Sequence, residues 1–152
     1  MRSIHKIKTS AHERYRRHLR VRKKVEGTPE RPRLVAIDDE AEFTKAIDEF
    51  FSARGYEVHV ALTGPSGLAL VDAHNPPVVL VDLKLPGMDG DELLQRIRRT
   101  HPATRVIVIT AYNDVGKTRD RLLWLGAFAH FDKPLTSLRD LAEAVKRALK
   151  EK

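Results

Sequence analysis

Four apolar segments of this chain each end in polar residues that can bind a metal ion or a phosphate group. The segments are Ile37-Asp38-Asp39-Glu40, Val81-Asp82, Ile109-Thr110 and Phe131-Asp132-Lys133-Pro134. If they are parallel β-strands, their carboxyl ends lie at one edge of the sheet, where ligands bind in α/β proteins. Acids, a hydroxyl and an ammonium group brought together there would form a small site for a metal ion and a phosphoryl group.

The acidic residues in these segments predict a divalent cation. Asp82 follows residues 78–81, an uninterrupted apolar run beside which an unpaired charge is costly. Three carboxylates within about 4 Å of one another repel by about 4 kcal/mol per pair at an effective dielectric constant of about 20. A divalent cation removes that repulsion, and oxygen ligands without His or Cys favour Mg²⁺ over zinc.

Each of these polar residues also has an ordinary structural explanation. Asp38 and Asp39 equally suit an N-cap and a solvated acid at the start of the first helix. Lys133 can be a surface lysine at a helix entrance, and Thr110 can be a β-branched residue that ends a strand. Their order along the chain and their common placement at strand ends favour one shared site.

The main part of the chain alternates predicted strands and helices. Short apolar or alternating segments predict strands at residues 34–37, 58–62, 78–81, 106–109 and 128–131. Apolar residues at helical spacing follow each strand, and Gly55 and Gly126 are typical of helix ends. Such β–α pairs with short connections predict an α/β fold with a doubly wound five-stranded parallel sheet and five helices.

Composition indicates one globular domain in the cytoplasm. The chain has 152 residues, of which 41% are hydrophobic and 32% charged. It contains no cysteine, no apolar run long enough to cross a membrane and no signal-peptide pattern at its start. A glycine and two prolines within residues 27–32 indicate a linker, so we expect the domain at 33–152.

Residues 1–32 form a basic N-terminal extension with that linker. Residues 1–33 contain twelve Lys or Arg and three Glu, which accounts for more than the whole net charge of +7. Apolar residues recur every four positions from Ile7 to Leu19, so a basic amphipathic helix within residues 1–26 could contact nucleic acid or an anionic membrane. The alternative is a disordered solubilising arm or the remnant of a lost domain, without a binding role.

The motifs at the strand ends resemble those of the receiver domain of two-component response regulators. The matching residues are Asp38-Asp39, Asp82 followed by Leu85-Pro86-Gly87-Met88-Asp89-Gly90, Thr110-Ala111 and Lys133-Pro134. The resemblance covers residues 33–150 and is most specific in the loop after Asp82. It implies a flavodoxin-like fold with sheet order 2-1-3-4-5. It also implies a cis Lys133–Pro134 bond, although only about 5–6% of X-Pro bonds are cis.

The resemblance also implies a role for each acid. Asp82 would accept a phosphoryl group from a histidine kinase or a phosphotransfer protein. Asp39 would bind Mg²⁺ directly, and Asp38 would do so mainly through water. Asp82 and the backbone carbonyl of Lys84 would complete the protein ligands.

Three further residues would bind or report the phosphoryl group if the resemblance holds. Lys133 would pair with its oxygens, and the hydroxyl of Thr110 would move to hydrogen-bond them. The family usually has Tyr or Phe as a rotating switch three positions before the lysine, where this chain has His130. Histidine could still rotate and add pH sensitivity, or its smaller ring could simply fill the gap.

Lys84 and Tyr112 would border the phosphoryl group. Each lies two residues after a site residue, Lys84 after Asp82 and Tyr112 after Thr110. Because both side chains are large, we expect them to restrict water and slow loss of the phosphoryl group.

One enzyme class and one class of binding fold match the sequence less well. Phosphatases of the haloacid dehalogenase type also form an aspartyl phosphate, but they need a second acid two residues after the nucleophile, where this chain has Lys84. Nucleotide-binding folds need a glycine-rich motif after the first strand, and none follows residues 34–37.

The sequence therefore predicts a stand-alone response regulator receiver rather than a dedicated enzyme. Only Glu151 and Lys152 follow the last predicted helix, so we expect no carboxyl-terminal output domain. Output would then come from a protein-binding surface on the fourth helix, fifth strand and last helix, which could also support a homodimer. Trp124 is either a contact on that surface or part of the core.

Overall fold

The computed structural model describes residues 31–111 and 117–150, which form an α/β fold. The strands are β1 (Arg33–Ile37), β2 (Glu57–Ala61), β3 (Val78–Val81), β4 (Lys84–Leu85), β5 (Met88–Asp89), β6 (Arg105–Thr110) and β7 (Ala129–Asp132). The helices are α1 (Ala41–Ser52), α2 (Gly64–His74), α3 (Gly90–Thr100), α4 (Lys117–Trp124) and α5 (Leu138–Lys150). Residues 1–30 and Tyr112 lie outside the described part of the chain.

The main sheet is parallel and has the order β2-β1-β3-β6-β7. Since β4 and β5 form a separate small hairpin, this confirms the predicted order 2-1-3-4-5 of the main strands and the five helices. The hairpin itself was not predicted, because its sequence consists largely of turn-forming residues. The last main strand is shifted by one residue from the predicted 128–131.

Two apolar cores cover the two faces of the sheet. On one face, Leu34 and Leu80 pack with Phe51 of α1 and Leu141 of α5. The other core contains residues from the opposite strand face and from α2, α3 and α4, including Val35, Val79, Val71, Leu93 and Leu122. Burial on both faces explains the continuous apolar runs of β3 and β6.

The sheet register brings the predicted site residues to one edge. Ile37, which ends β1, pairs with Val81, which ends β3. Val81 in turn pairs with Val108 of β6. The acids that follow β1 and β3 are therefore neighbours across a strand pair, as the sequence predicts for a parallel sheet.

Gly90 lets the chain turn closely from the hairpin into α3. A Cβ atom added at this position would lie 2.4 Å from the Cα of Leu83, so any larger residue would displace the backbone just after Asp82. The Asp89 side chain caps α3 by accepting a hydrogen bond from the Asp91 N–H at 3.0 Å. The glycine and the cap together determine how the segment after β3 leaves the sheet edge.

Trp124 lies on the surface. It is the last residue of α4 and is 85% exposed, and the preceding Leu123 is also exposed. Packing in the core is therefore the wrong one of the two alternatives for Trp124.

Among the described residues, none of the helices has both the length and the apolar character needed to cross a bilayer.

Candidate functional site

Asp38 and Asp82 lie side by side, mostly buried, at the carboxyl edge of the sheet. Their backbone N–H groups continue the sheet, Asp38 to Ala61 O at 3.0 Å and Asp82 to Ile37 O at 2.9 Å. Each carboxylate accepts a hydrogen bond from the backbone N–H two residues later: Asp38 from Glu40 at 2.9 Å and Asp82 from Lys84 at 3.1 Å. The two side chains are thus oriented by the turns that follow β1 and β3.

Lys133 is the shared counter-ion of this edge. Its Nζ lies 2.6 Å from Asp38 Oδ2, 2.5 Å from Glu40 Oε1 and 3.2 Å from Asp82 Oδ2. Its backbone N–H donates to Thr110 O at 2.9 Å, which ties the end of β7 to the end of β6. The Lys133–Pro134 peptide bond is cis, as the sequence resemblance implied.

Burial and charge change the proton affinities of two of these groups. Burial raises the pKa of Asp38 above its ordinary 3.8, and the hydrogen bonds from Lys133 and from the Glu40 N–H oppose this without reversing it. For Lys133 burial acts against the charge. The hydrogen bonds to Asp38 and Glu40, with the charges of Asp38 and Asp82, outweigh it and raise the pKa above the ordinary 10.5. Both pKa values can be raised because Lys133 faces three acids, whereas Asp38 shares its one lysine with two other acids, Glu40 and Asp82.

The raised pKa of Asp38 predicts a pH-dependent cost to folding. Just above pH 3.8 the folded state binds this proton more tightly than the unfolded state, so the free energy of unfolding falls as pH rises through that window. Asp38→Asn should remove this decline. Urea unfolding in a chelator at several pH values should therefore show the variant gaining stability over the wild type from acidic to neutral pH.

Asp39→Asn is the matched control, because Asp39 is exposed and one residue away. A difference between wild type and Asp38→Asn that stays constant with pH, or that shifts toward the wild type as pH rises, would contradict the expected burial effect.

The structure brings together most of the predicted site residues, but with one exchange among the acids. Ligand oxygens of Asp38, Glu40 and Asp82 lie within 4.8 Å of one another. Asp39 is exposed and does not belong to this cluster. Sequence reasoning gave Glu40 no role, although it directly continues the acidic run, and its long side chain reaches back to Lys133.

The side chains of the two predicted switch residues, Thr110 and His130, are both mostly buried, whereas the predicted flanking residue Lys84 is exposed. Thr110 is fully buried at the end of β6. His130 pairs in register with Val108, and its side chain is mostly buried. Its buried Nε2 lies 3.4 Å from Asp132 Oδ1 without forming a hydrogen bond. The side chain of Lys84 is exposed, and Tyr112 lies outside the described residues.

The donor set at this edge fits Mg²⁺. All the clustered ligand atoms are carboxylate oxygens, which are the ligands that Mg²⁺ prefers, and no histidine nitrogen belongs to the cluster. The partial exposure of the site through Glu40 leaves room for the water that Mg²⁺ usually retains. The site thus combines an acid cluster whose oxygens suit a metal ion with a lysine beside Asp82.

Comparison with known proteins identifies the family. A family model for the response regulator receiver domain matches residues 34–146. The chain therefore belongs to the response regulator receiver family, whose members are phosphorylated on an aspartate in two-component signalling. Such domains interact with histidine kinases and with downstream effectors, and in general they are not dedicated enzymes.

Individual relatives agree with this assignment. Sporulation initiation phosphotransferase F of Bacillus subtilis is 34% identical over 117 residues, which are 77% of this chain and 93% of that protein. Regulatory protein AtoC of Escherichia coli is 37% identical over 117 residues, but these are only 25% of that protein. A CheY-like receiver domain protein from Methanospirillum hungatei has a TM-score of 0.72 at 32% identity, covering 78% of this chain and 93% of its own.

Proposed function

We propose that Asp82 accepts a phosphoryl group from a histidine kinase or a phosphotransfer protein, and that this switches a protein-binding surface. The observation that carries the proposal is the contact between Lys133 Nζ and Asp82 Oδ2 at 3.2 Å. Asp82 is mostly buried, so an ammonium group at this distance would also meet the oxygens of a phosphoryl group attached there.

The proposed transfer is an in-line displacement at phosphorus. A carboxylate oxygen of Asp82 attacks the phosphorus of a phosphohistidine, and the P–O bond forms as the P–N bond breaks. The imidazole leaves with the electron pair of that bond, and the product is an acyl phosphate. A carboxylate needs no deprotonation for this step, so positioning and charge neutralisation are the main requirements. Lys133 supplies part of that neutralisation at the equatorial oxygens.

Mg²⁺ is the proposed cofactor, held by Asp38, Asp39, Asp82 and the backbone carbonyl of Lys84. When bound, it would neutralise charge on the phosphoryl oxygens. Asp39 is exposed at the rim next to Asp38, so its carboxylate has room to turn toward the cluster. Glu40 is held by Lys133, and we propose that it is a secondary partner rather than the main metal ligand.

Two neighbouring substitutions distinguish Asp39 from Glu40 as the metal ligand. Asp39→Asn should weaken Mg²⁺ binding by about tenfold or more, because ligand charge sets the affinity of such sites. Glu40→Gln should change it by about threefold or less. The measurement is the thermal-unfolding midpoint as a function of Mg²⁺ concentration. A larger loss in Glu40→Gln than in Asp39→Asn would assign the ligand role to Glu40.

The proposed switch consists of Thr110 and His130. The Thr110 hydroxyl would move to the phosphoryl oxygens, and the space it leaves would allow the His130 ring to change position. The burial of both side chains supports this, because packed interiors respond to a displacement as alternative arrangements. The surface that responds would be α4, β7 and α5, where the exposed Trp124 is a candidate contact with a target or with a second copy.

We also propose that this receiver acts in the cytoplasm and without an attached output domain. The match covers 93% of sporulation initiation phosphotransferase F, which supports stand-alone action. It covers only 25% of AtoC, which supports the alternative of an attached domain. Within this role the chain assists its own phosphorylation and dephosphorylation. Contact of residues 1–26 with nucleic acid or an anionic membrane stays a prediction, as does the domain boundary at residue 33.

The experiment that tests the proposed function is incubation with a small phosphodonor, followed by intact-mass measurement. With Mg²⁺ present we expect one phosphoryl group per chain, and with a chelator we expect the unmodified mass. Absence of an adduct with several phosphodonors and a cognate-type histidine kinase would contradict the proposal.

A further inference from the structure

A second group of metal-ligating side chains lies at the opposite edge of the sheet. Glu57 begins β2 and His59 follows two residues later, so both lie on the face of β2 that also carries Ala61 and packs toward α2. The crossover from β2 to β3 brings His74, the last residue of α2, back to this edge. One ligand atom from each of these three residues lies within 4.8 Å of the others.

The contacts among these residues form a compact cluster. His59 Nε2 lies 2.8 Å from Glu57 Oε2, and the rings of His59 and His74 stack at 3.8 Å with an angle of 12°. Arg33 donates from Nε to Glu57 Oε2 at 3.3 Å and from Nη1 to the His74 carbonyl at 3.4 Å. Glu57 is only 2% exposed. The carboxylate is therefore oriented by Arg33, which also holds the end of α2.

We propose that Glu57, His59 and His74 form a binding site for a borderline divalent cation such as Zn²⁺ or Ni²⁺. Two imidazoles and one carboxylate are ligands that these cations accept, whereas Mg²⁺ prefers oxygen ligands alone. The site is separate from the acidic cluster at the carboxyl edge. Glu57 pairs with Arg33, and Asp38 follows five residues later along β1, which places the two clusters about 16 Å apart.

Metal binding requires a local rearrangement of the histidines. Ligand atoms about 2.1 Å from a tetrahedral ion lie about 3.4 Å from one another, so the 2.8 Å pair of His59 Nε2 and Glu57 Oε2 must open slightly to admit the ion. Parallel rings cannot both direct a nitrogen lone pair at one ion, so one imidazole must turn out of the stack. His74 is half-buried at a helix end and is the residue that can turn. The charge of Arg33 beside Glu57 opposes a second cation, so we expect an affinity in the micromolar range.

Calorimetric titration of the full chain with Zn²⁺ tests the site. Millimolar Mg²⁺ in the buffer, in large excess over Zn²⁺, competes for the acidic cluster, whose oxygen ligands suit it. We expect one Zn²⁺ per chain at the new site. In the double variant His59→Gln, His74→Gln the affinity for Zn²⁺ should fall by a factor of about ten or more, which is the scale of loss when groups that support a metal site are removed. Wild-type protein without Zn²⁺ binding, or a double variant with unchanged affinity, would overturn the proposal.

Matched controls use the other histidines of the chain. His101→Gln removes a histidine paired with Asp72 rather than with Glu57, and His5→Gln, His12→Gln and His18→Gln together remove those of residues 1–30. Both controls should retain the wild-type affinity. A loss in either control equal to that of the double variant would place the ion elsewhere and overturn the assignment.

A measurement on wild-type protein decides the question even if the double variant does not fold. In nitrogen-detected NMR spectra of the imidazole rings, Zn²⁺ should shift the signals of His59 and His74. The signals of His101 and His130 should stay in place. Shifts confined to other histidines, or no shifts at all, would refute the site.

Discussion

Asp82→Asn is expected to reduce formation of the phosphoryl adduct to background. Asparagine keeps the size of aspartate and can still accept the Lys84 N–H bond, so the turn after β3 should be retained. It lacks the nucleophilic carboxylate, and loss of a nucleophile acts on a scale of about 10³-fold or more in rate. Intact mass after incubation with Mg²⁺ and a small phosphodonor, followed over time for variant and wild type, measures the effect.

The matched control for this substitution is Asp72→Asn. Asp72 lies on α2, near the amino edge of the sheet, and its side chain is largely exposed beside His101. This control should be phosphorylated at the wild-type rate. If Asp82→Asn still gains a phosphoryl group, peptide mapping decides its position. An adduct formed at the wild-type rate on another acid would show that Asp82 is not the acceptor.

Lys133→Met is expected to impair both phosphorylation and folding. Methionine has a similar length but no charge, so Asp38, Glu40 and Asp82 lose their shared counter-ion. Removal of one charge-stabilising group typically lowers a rate by about 10²–10³-fold, and we expect that loss in adduct formation. We expect the free energy of unfolding at neutral pH to fall by about 2–3 kcal/mol. This is below the range for fully buried pairs, because Glu40 is exposed.

The stability loss should depend on metal and pH in a defined way. Added Mg²⁺ should restore part of the stability, because it replaces the missing positive charge among the acids. The raised pKa of Lys133 means that its stabilising charge is fully present below pH 10.5 and is lost only as pH rises beyond that value. The difference between wild type and Lys133→Met should therefore persist across the whole neutral range.

Two further variants separate charge from geometry. Lys133→Arg keeps the positive charge but changes its shape, so it should retain most of the stability and lose most of the phosphorylation rate. Lys45→Met removes an exposed lysine on α1 and should change neither quantity. Urea unfolding and adduct kinetics measure both effects. Lys133→Met with wild-type stability and rate would contradict the role of this lysine.

Much of the fold and the site follows from local sequence. The runs at β3 and β6 are apolar without interruption because both faces of a central parallel strand are covered, and that pattern does not depend on distant partners. A polar residue at the end of such a run must lie at the carboxyl edge. Asp82, Thr110 and Lys133 were therefore predicted together from their order and their placement at strand ends, and in the structure Lys133 Nζ lies 3.2 Å from Asp82 Oδ2.

Other features were decided by the tertiary structure. Beyond Ile37 the chain leaves the strand, and the alternation of strand faces no longer says which of the next three acids points inward. In the structure Asp38 points inward, where it accepts a hydrogen bond from the Glu40 N–H, and the exposed Glu40 reaches the cluster only through its contact with Lys133. The exposure of Trp124 could not be predicted from the sequence either, because whether the end of a short helix faces the core depends on neighbours far along the chain.

The histidine cluster shows the same division between local and long-range information. Sequence spacing places Glu57 and His59 on one face of a strand, since side chains two apart in a strand share a face. Nothing in that spacing brings His74 to them, because His74 is the last residue of the next helix, α2. The local sequence was thus sufficient to predict where the strands end and which acids follow them. The packing of α2 on the sheet decided which distant side chains meet, because that contact depends on where a crossover returns.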